Sequence, residues 1–281
     1  MAAAFVAACE AELQAPKPGN VHVFADGHGM TAADFLASAE AAAPFLGAAR
    51  SSVGARIAGA IEATWASVGQ NTNLGIVLLC APLAQAAATA QSADLRLETE
   101  RVLQALDLKD ADAAFRAIAH ARPAGLGASA EHDVHAPAQT TLLEAMRAAA
   151  DRDRIAWQYA NGFADIFDLG LKSLADARKR RADAPLATLC VYAALLAAFP
   201  DSHIARKHGP AAAEAVRGEA ARFETALKNA ESREGAFDHA LAFDRALKQR
   251  GLNPGTSADL TVAVLFADYL AAILARRRKN G

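Results

Sequence analysis

Apolar residues recur at helical spacing along nearly the whole chain. In the stretch 53–68, for example, Val53, Ile57, Ala60, Ile61 and Trp65 fall on one face of a helix. No stretch alternates apolar and polar residues for long enough to form a sheet. The pattern therefore predicts an all-α fold, with a single multi-helix globular domain over residues 1–281. The predicted helices span roughly 1–13, 32–43, 53–68, 74–88, 93–105, 111–120, 137–151, 155–180, 185–199, 211–229, 236–250 and 256–278.

The most informative interruption of this pattern is the stretch 16–30. Prolines at 16 and 18 restrict their own φ and disfavour the α region in the residues before them. Glycines at 19, 27 and 29 allow backbone conformations that other residues avoid. A polar loop on a helical scaffold is a common place for binding chemistry, although a plain surface connection explains the composition equally well. The polar side chains of this loop are Lys17, Asn20, His22, Asp26 and His28.

Three further polar breaks occur at the ends of apolar helices. The first, residues 70–75, precedes a very apolar helix whose N-terminal amide groups could hold a phosphate, or whose N-cap could simply be Thr72 or Asn73. The second, 201–209, carries Arg206 and Lys207, which could bind phosphates or lie on a solvated corner. In the third, 253–259, Thr256 and Asp259 match a capping box. We predict that these breaks and the loop 16–30 converge on one nucleotide pocket.

Carboxylates supply the other candidate chemistry. Glu62 lies on a mostly apolar helix upstream of the 70–75 break, either as an exposed residue or as a buried acid. Asp165 and Asp168 share a helix face, although Asp168 could equally form an ion pair with Lys172. The stretch 123–137 is rich in Gly, Pro and His and is interpreted as a mobile lid or a subdomain joint. Its possible metal ligands lack the usual helical His spacing: Glu131, His132, Asp133 and His135.

Composition narrows the class of protein. Of 281 residues, 53% are hydrophobic and 21% charged, so a large core is expected. The net charge of -2 argues against a general nucleic-acid binder. Cys9, Cys80 and Cys190 are far apart in apolar runs and are expected to be buried thiols. We find neither a signal-peptide pattern nor an apolar segment of the ~18 residues that span a bilayer. The expected setting is therefore the cytoplasm.

The motifs, taken in order, resemble those of the triphosphoribosyl-dephospho-CoA synthase family. The resemblance extends from residue 16 to residue 260, nearly the whole chain. It rests on Lys17-Pro18-Gly19, a His-containing loop, Asp34-Phe35, Glu62 before Asn71-Thr72, Gly75, Asp201 with Arg206 to Gly209, and Pro254-Gly255 before Ser257-Ala258-Asp259-Leu260. The resemblance implies an all-α enzyme that uses ATP and Mg²⁺. It would release adenine and join C1 of the ribose to a hydroxyl of 3′-dephospho-CoA.

Residue roles follow from this implied reaction. Glu62 would be the catalytic carboxylate, since displacing adenine builds positive charge on the ribose. Phosphates would contact Lys17, Gly19 and Asn20, and the ribose or base would contact Asn71 and Thr72. The remaining substrate-binding candidates are His22, His28, Asn73, Arg206, Lys207 and Ser257. The metal candidates are Asp34, Asp165 and Asp259.

The chain also departs from the family pattern. The synthases carry Asn-Thr-His-Lys-Gly, whereas Asn73 and Leu74 stand here in place of His and Lys. The synthases also have an acidic residue just before Met, where this chain has Gly29 before Met30. These differences indicate a divergent branch whose acceptor could have changed, for example to a pterin-type one-carbon cofactor precursor. A non-catalytic nucleotide sensor and an N-glycoside hydrolase remain open. The expected partners are small molecules, without nucleic acid or membrane, and a homodimer is left open.

Overall fold

The computed structural model describes residues 1–123 and 133–279. It confirms the all-α prediction, because the described residues form helices and no strand. The α-helices are α1 Ala2–Leu13, α2 Ala32–Leu46, α3 Val53–Val68, α4 Leu74–Thr89, α5 Leu95–Gln104, α6 Leu108–Ala121, α7 Leu142–Ala149, α8 Arg154–Ala160, α9 Leu171–Lys179, α10 Ala184–Ala198, α11 Ser202–His208, α12 Pro210–Lys228, α13 Arg233–Gln249 and α14 Gly255–Lys279.

Several predicted helix boundaries are wrong. Helix α2 continues through Pro44 to Leu46 instead of ending at the proline. The single helix predicted over 155–180 is divided into α8, a π-helical segment Asp165–Gly170 and α9. The division follows Gly162 and Phe163, both of which have a φ of 60° and so leave the helical conformation. The corner 201–209 is itself mostly helical, as α11.

Contacts between Cα atoms divide the chain into two compact units. Unit 1 comprises Met1–Ala8, Asp34–Ala164 and Phe266–Gly281, and unit 2 comprises Cys9–Ala33 and Asp165–Leu265. In unit 1, α3 packs against α4 and α6, and α4 is buried along almost its whole length, as its apolar sequence predicts. The expectation of a single domain over residues 1–281 stays a prediction.

Unit 2 has a core built around α10, which packs against α9, α12 and α13. One cluster of buried side chains joins Tyr192, Leu196, Ile204, Val216 and Leu247. A second cluster of buried side chains also includes residues of α10, together with Ala15, which directly precedes the loop 16–30. The loop thus begins inside the hydrophobic core of this unit.

Helix α14 contradicts the expectation that no apolar segment of this chain is long enough to span a bilayer. From Gly255 to Arg278 it has 24 residues and a window of mean hydropathy 1.8, so its length and composition would allow it to cross a membrane. The helices Ala184–Ala198 and Ser202–His208, bent by 52°, pass the same test as a pair. Of the α14 window, 61% is buried inside the protein, as in core helices of soluble proteins. The test is therefore weak evidence and assigns no membrane.

Two of the three cysteines, Cys9 and Cys80, are buried free thiols, as expected. Cys190 is only half-buried, which contradicts the prediction for that residue, and its Sγ lies 4.0 Å from Nη2 of Arg180.

Residues 124–132 lie outside the described residues. The predicted lid or joint, and the metal ligands proposed at 131 and 132, therefore remain without a structural description.

Candidate functional site

The loop 16–30 consists of a buried first part and two tight turns. Every residue from Ala15 to His22 is buried. Paired backbone hydrogen bonds then join His22 to Ala25 and Gly27 to Met30, so that each pair closes a two-residue turn. The second turn has φ values of 58° at His28 and 75° at Gly29, as a type I′ turn requires. The loop is therefore a defined structure whose exposed face begins after residue 22.

Lys17 lies in the buried part and forms an ion pair there. Its Nζ is 2.8 Å from Oε1 of Glu12, its side chain is 0% exposed, and it also donates a hydrogen bond to the carbonyl of Val21. Burial lowers the pKa of Lys17 and raises the pKa of Glu12, and the attraction between the two charges opposes both shifts. A phosphate could reach this ammonium only if it left both partners. The assignment of Lys17 to phosphate stays a prediction.

Asp244 on α13 binds the same loop from another side. Its Oδ1 accepts a hydrogen bond of 2.9 Å from the Gly19 amide and lies 3.1 Å from Nζ of Lys248, which in turn donates to the Ala25 carbonyl. Its Oδ2 lies 3.5 Å from Nε2 of His22. Burial opposes the charge of Asp244, but His22, Lys248 and the Gly19 amide outweigh it and lower the pKa of Asp244.

His22 is fully buried beside this carboxylate. Neither of its ring nitrogens has a hydrogen-bond partner among the described residues, because 3.5 Å is too long for one. Burial is the main cause of its lowered pKa. His22 therefore faces the protein interior, and its predicted contact with substrate is not evident from its position.

The loop packs directly onto the 252–255 turn. The side-chain amides of Asn20 and Asn253 form a hydrogen bond of 2.8 Å. A Cβ atom on Gly19, whose φ is 78°, would lie 2.8 Å from Cδ of Pro254 and 2.9 Å from the carbonyl oxygen of Leu252. Only glycine therefore allows both this backbone conformation and this close approach.

The 201–209 corner contacts the same turn through its first residues. Oδ2 of Asp201 accepts hydrogen bonds of 2.8 Å from both the amide and the hydroxyl of Ser257. The amide of His203 lies 3.2 Å from Oγ1 of Thr256. The predicted capping box of Thr256 with Asp259 is therefore wrong, since α14 begins at Gly255 and Asp201 from another helix accepts from its first turn. Ser257 is buried with its hydroxyl on Asp201.

Basic side chains gather beside this junction. Burial first, and then the positive charges of Arg206, Lys207, His28 and His208, lower the pKa of His203 to about 4. The second turn of the loop thus brings His28 within electrostatic range of His203, at the start of α11. Nε2 of His28 is also 2.9 Å from the Gly19 carbonyl oxygen, with which it can form a hydrogen bond. We call His28, His203, Arg206 and Lys207 the basic cluster.

The 70–75 break lies in unit 1, where its side chains face inward. The Thr72 hydroxyl donates to Oγ of Ser38 at 2.6 Å, and Nδ2 of Asn73 donates to Oγ1 of Thr64 at 2.9 Å. The α4 N-terminus is instead bonded by Asn71, whose Oδ1 accepts from the amide of Leu74 at 3.2 Å. Asn73 is the N-cap residue of α4, as the capping alternative expected, but its side chain makes no capping hydrogen bond.

The carboxylates predicted for catalysis and metal binding differ from one another in their exposure to solvent. Glu62 is exposed on α3 in unit 1, so the exposed alternative holds rather than the buried acid. Asp34 and Asp259 are half-buried and Asp165 is buried. Over the described ranges, no three His, Cys, Asp or Glu side chains form a group that could bind a metal ion. Lys172 pairs with Asp176 at 2.8 Å, and the ion pair of Asp168 with Lys172 stays a prediction.

Three of the four polar segments predicted to converge do so within unit 2. The loop 16–30, the 201–209 corner and the 253–259 turn are joined by the hydrogen bonds described above. The 70–75 break belongs to unit 1, together with Glu62 and Asp34, so its part in a common pocket stays a prediction. A depression of about 670 Å³ on unit 1, between α5 and residues 161–162, contains none of the predicted residues.

Comparison with known proteins decides the family. Residues 1–278 match the CitG family, described as ATP:dephospho-CoA triphosphoribosyl transferase. The chain belongs to this family. No curated protein matches it significantly. A crystal structure from Archaeoglobus fulgidus, named as a proposed triphosphoribosyl-dephospho-CoA synthase, has 24% identity and a TM-score of 0.62, covering 84% of this chain and 97% of its own. That likeness shows the fold.

Members of the CitG family transfer the triphosphoribosyl group of ATP to dephospho-CoA, and this chain is accordingly a transferase with nucleotide substrates. The loop, the corner and the turn are all evident from the sequence of this CitG family member. The residues that hold them in place were not predicted for that role: Glu12, Asp201, Tyr192, Asp244 and Lys248. Tyr192, for example, donates a hydrogen bond of 2.6 Å to the Pro18 carbonyl. Only a buried carboxylate or hydroxyl in an otherwise apolar helix could have pointed to them.

Proposed function

We propose that this protein binds the triphosphate of ATP at the basic cluster and transfers the triphosphoribosyl group to a hydroxyl of 3′-dephospho-CoA. The observation that carries the proposal is that the loop and the 201–209 corner are hydrogen-bonded to the same 253–257 segment, with His28, Arg206 and Lys207 all within electrostatic range of His203, in a family that uses ATP. Arginine and lysine are the residue types that bind phosphate oxygens through charge-assisted hydrogen bonds. Asn71 and Thr72, in unit 1, stay candidates for the ribose or base from the family resemblance alone.

The proposed chemistry is a displacement at C1 of the ribose. The bond from C1 to the adenine nitrogen breaks, and that nitrogen takes up a proton from solvent as adenine leaves. A bond from C1 to the acceptor oxygen forms, and the hydroxyl proton goes to a carboxylate, which then returns it to solvent. We assign that carboxylate to Glu62, because its exposure on α3 leaves it accessible to a ligand. Its charge would also stabilise the positive ribose in the transition state.

Magnesium belongs to the same proposal as a companion of the triphosphate. Mg²⁺ commonly binds through one or two carboxylates together with substrate phosphates and water, so single aspartates suffice for the protein's share of its ligands. Asp259, Asp165 and Asp34 are the proposed carboxylates. Bound there, the ion would neutralise phosphate charge.

A second acceptor is favoured by one specific observation. Where the synthases have His and Lys, this chain has Asn73, at 3% exposure and bonded to Thr64, and the buried Leu74. This turn therefore offers no cation to a phosphorylated acceptor. We propose as the alternative that the ribosyl group goes to a different hydroxyl, such as that of a pterin-type one-carbon cofactor precursor.

We also propose a cytoplasmic protein that acts on small molecules, without nucleic acid or membrane as partner and with a homodimer left open. The three free thiols support a reducing compartment, and the net charge of -2 supports the absence of nucleic acid.

The decisive experiment measures adenine release from ATP with Mg²⁺. We expect release only when dephospho-CoA is added, together with a product whose mass equals dephospho-CoA plus the triphosphoribosyl group. Release with water alone would indicate an N-glycoside hydrolase. Binding of ATP without release in the presence of any acceptor would indicate a sensor. Release that requires a pterin-type acceptor instead would establish the alternative.

Glu62→Gln tests the catalytic assignment. The change keeps the shape of the side chain and removes its charge, so turnover should fall at least ~10²-fold while ATP affinity changes little. Glu40→Gln is the matched control, since Glu40 is another exposed glutamate on a helix of unit 1. Calorimetry and adenine release should be measured on the same preparations. Release by Glu62→Gln close to that of the wild type would transfer the role to Asp165 or Asp259.

A further inference from the structure

Asp244 is a buried carboxylate that no sequence motif of this chain includes. It lies on α13 at 2% exposure, and 225 residues separate it from the Gly19 amide that it binds. Its Oδ1 also approaches Lys248, which donates to the Ala25 carbonyl at 3.0 Å. Asp244 and Lys248 therefore contact the loop on both sides of its first turn.

The contact at Gly19 continues toward the basic cluster. The Gly19 amide donates to Asp244, while the carbonyl oxygen of the same residue lies 2.9 Å from Nε2 of His28. Gly19 thus connects the buried carboxylate to the imidazole of His28, which lies within electrostatic range of His203. A Cβ on Gly19 would strike Leu252 and Pro254, so the backbone is closely packed on that side. The Asp244 carboxylate fixes the amide of Gly19, and its loss would free the peptide whose carbonyl meets His28.

We propose that Asp244 is a positioning residue that, through Gly19, holds His28 in place to bind the triphosphate of ATP. The inference rests on the proposed function for the identity of the ligand. Asp244 itself touches no substrate in this account, and its effect reaches the ligand only through His28. Loss of Asp244 should therefore weaken triphosphate binding, and it should do so only while His28 is present.

A double-mutant cycle on ligand affinity tests this dependence. The variants are Asp244→Ala, His28→Ala and the double variant, and the measurement is the Kd for ATP with Mg²⁺ and for inorganic tripolyphosphate, both by calorimetry. Each single change should weaken binding at least about fivefold, and the double variant should be no more than about twofold weaker than the weaker single variant. Such non-additivity is the signature of residues that act together.

Asp244→Asn supplies the conservative rescue. It keeps an oxygen for the Gly19 amide but removes the charge toward Lys248 and His22, so affinity should stay within about threefold of the wild type. Asp110→Ala is the matched control. Asp110 is also buried and accepts a hydrogen bond of 2.7 Å from a glycine amide, that of Gly54 in unit 1. It should lose stability like Asp244→Ala and keep its affinity.

The possible results distinguish failure of this inference from failure of the proposed function. Additive losses in the double variant, or an Asp244→Ala affinity within twofold of the wild type, would overturn the inference. If Asp244→Ala does not fold, Asp244→Ser replaces it in the cycle, since it also removes the carboxylate from the Gly19 amide while leaving a polar side chain in the buried position. A wild type that binds ATP but releases no adenine with any acceptor refutes the proposed function, while the affinity cycle still decides this inference. No wild-type binding of either ligand would overturn both.

Discussion

Replacing Lys17 by methionine should destabilise the protein strongly. Methionine keeps much of the side-chain length, but it leaves the Glu12 carboxylate, at 4% exposure, without its cation. Breaking a buried ion pair by removing one partner costs about 3–5 kcal/mol, because the remaining charge stays desolvated. Since about 1 kcal/mol corresponds to roughly 2–4 °C in a domain of this size, Tm should fall by about 10 °C.

The double variant Glu12→Leu/Lys17→Met separates charge from packing. Replacing both charges by apolar groups removes the desolvation cost, so its stability should return to within about 1 kcal/mol of the wild type. Urea unfolding and thermal melting should be measured for the wild type, both single variants and the double variant. ATP affinity should be measured on each protein that remains folded.

The pH dependence of Lys17→Met gives a second check. Without Lys17, only burial acts on Glu12, and burial raises its pKa in the folded state. A raised folded-state pKa gives stability that is fully present below the unfolded value and is lost as pH rises through the folded value. The deficit of the variant should therefore be larger at pH 8 than at pH 5. A variant as stable as the wild type at both pH values, with weaker ATP binding, would refute the structural role and return Lys17 to the phosphate site.

Two further predictions follow from the same junction. Gly19→Ala should lose at least about 2 kcal/mol in urea unfolding, since it combines the left-handed backbone penalty with contacts of 2.8 Å and 2.9 Å. Gly29→Ala, with a φ of 75° and open space around the new Cβ, should lose only about 1 kcal/mol, and equal losses would contradict the packing argument. His203, whose pKa is lowered to about 4, should contribute stability above pH 6.5 that is lost as pH falls toward 4, at most about 3 kcal/mol. His203→Gln should remove that part of the pH dependence, and an unchanged profile would count against it.

The sequence predicted the helices well because each of them carries its own apolar periodicity. Helices α3 and α4 follow the predicted bounds, and Gly69 ends α3 in the left-handed conformation, as a C-terminal glycine does. The failure at 155–180 has a different origin. Phe163 has a φ of 60°, which is unusual for a bulky residue, and no helix propensity indicates it. Tertiary contacts, not local pattern, decide such a break.

The loop 16–30 was located from the sequence, but its orientation was not. Prolines and glycines predict an irregular path, whereas burial of Lys17 and His22 depends on partners elsewhere in the fold. Asp244 is 225 residues away from Gly19, and Tyr192 is 174 residues away from Pro18. Both partners lie in helices whose sequences predict only an ordinary amphipathic or buried face. The polar residues of a motif can therefore be as much a part of the scaffold as of the site.

The placement of the motifs changes how the family resemblance should be interpreted. Lys17, Gly19 and Asn20 form the most recognisable motif, yet all three are buried and bonded to the protein. A motif can build the loop without meeting the substrate, and we then expect the substrate to meet residues that the loop presents, such as His28. Asn73 and Leu74 are also buried. Their difference from the His and Lys of the synthase motif therefore removes cations from this turn while leaving it packed.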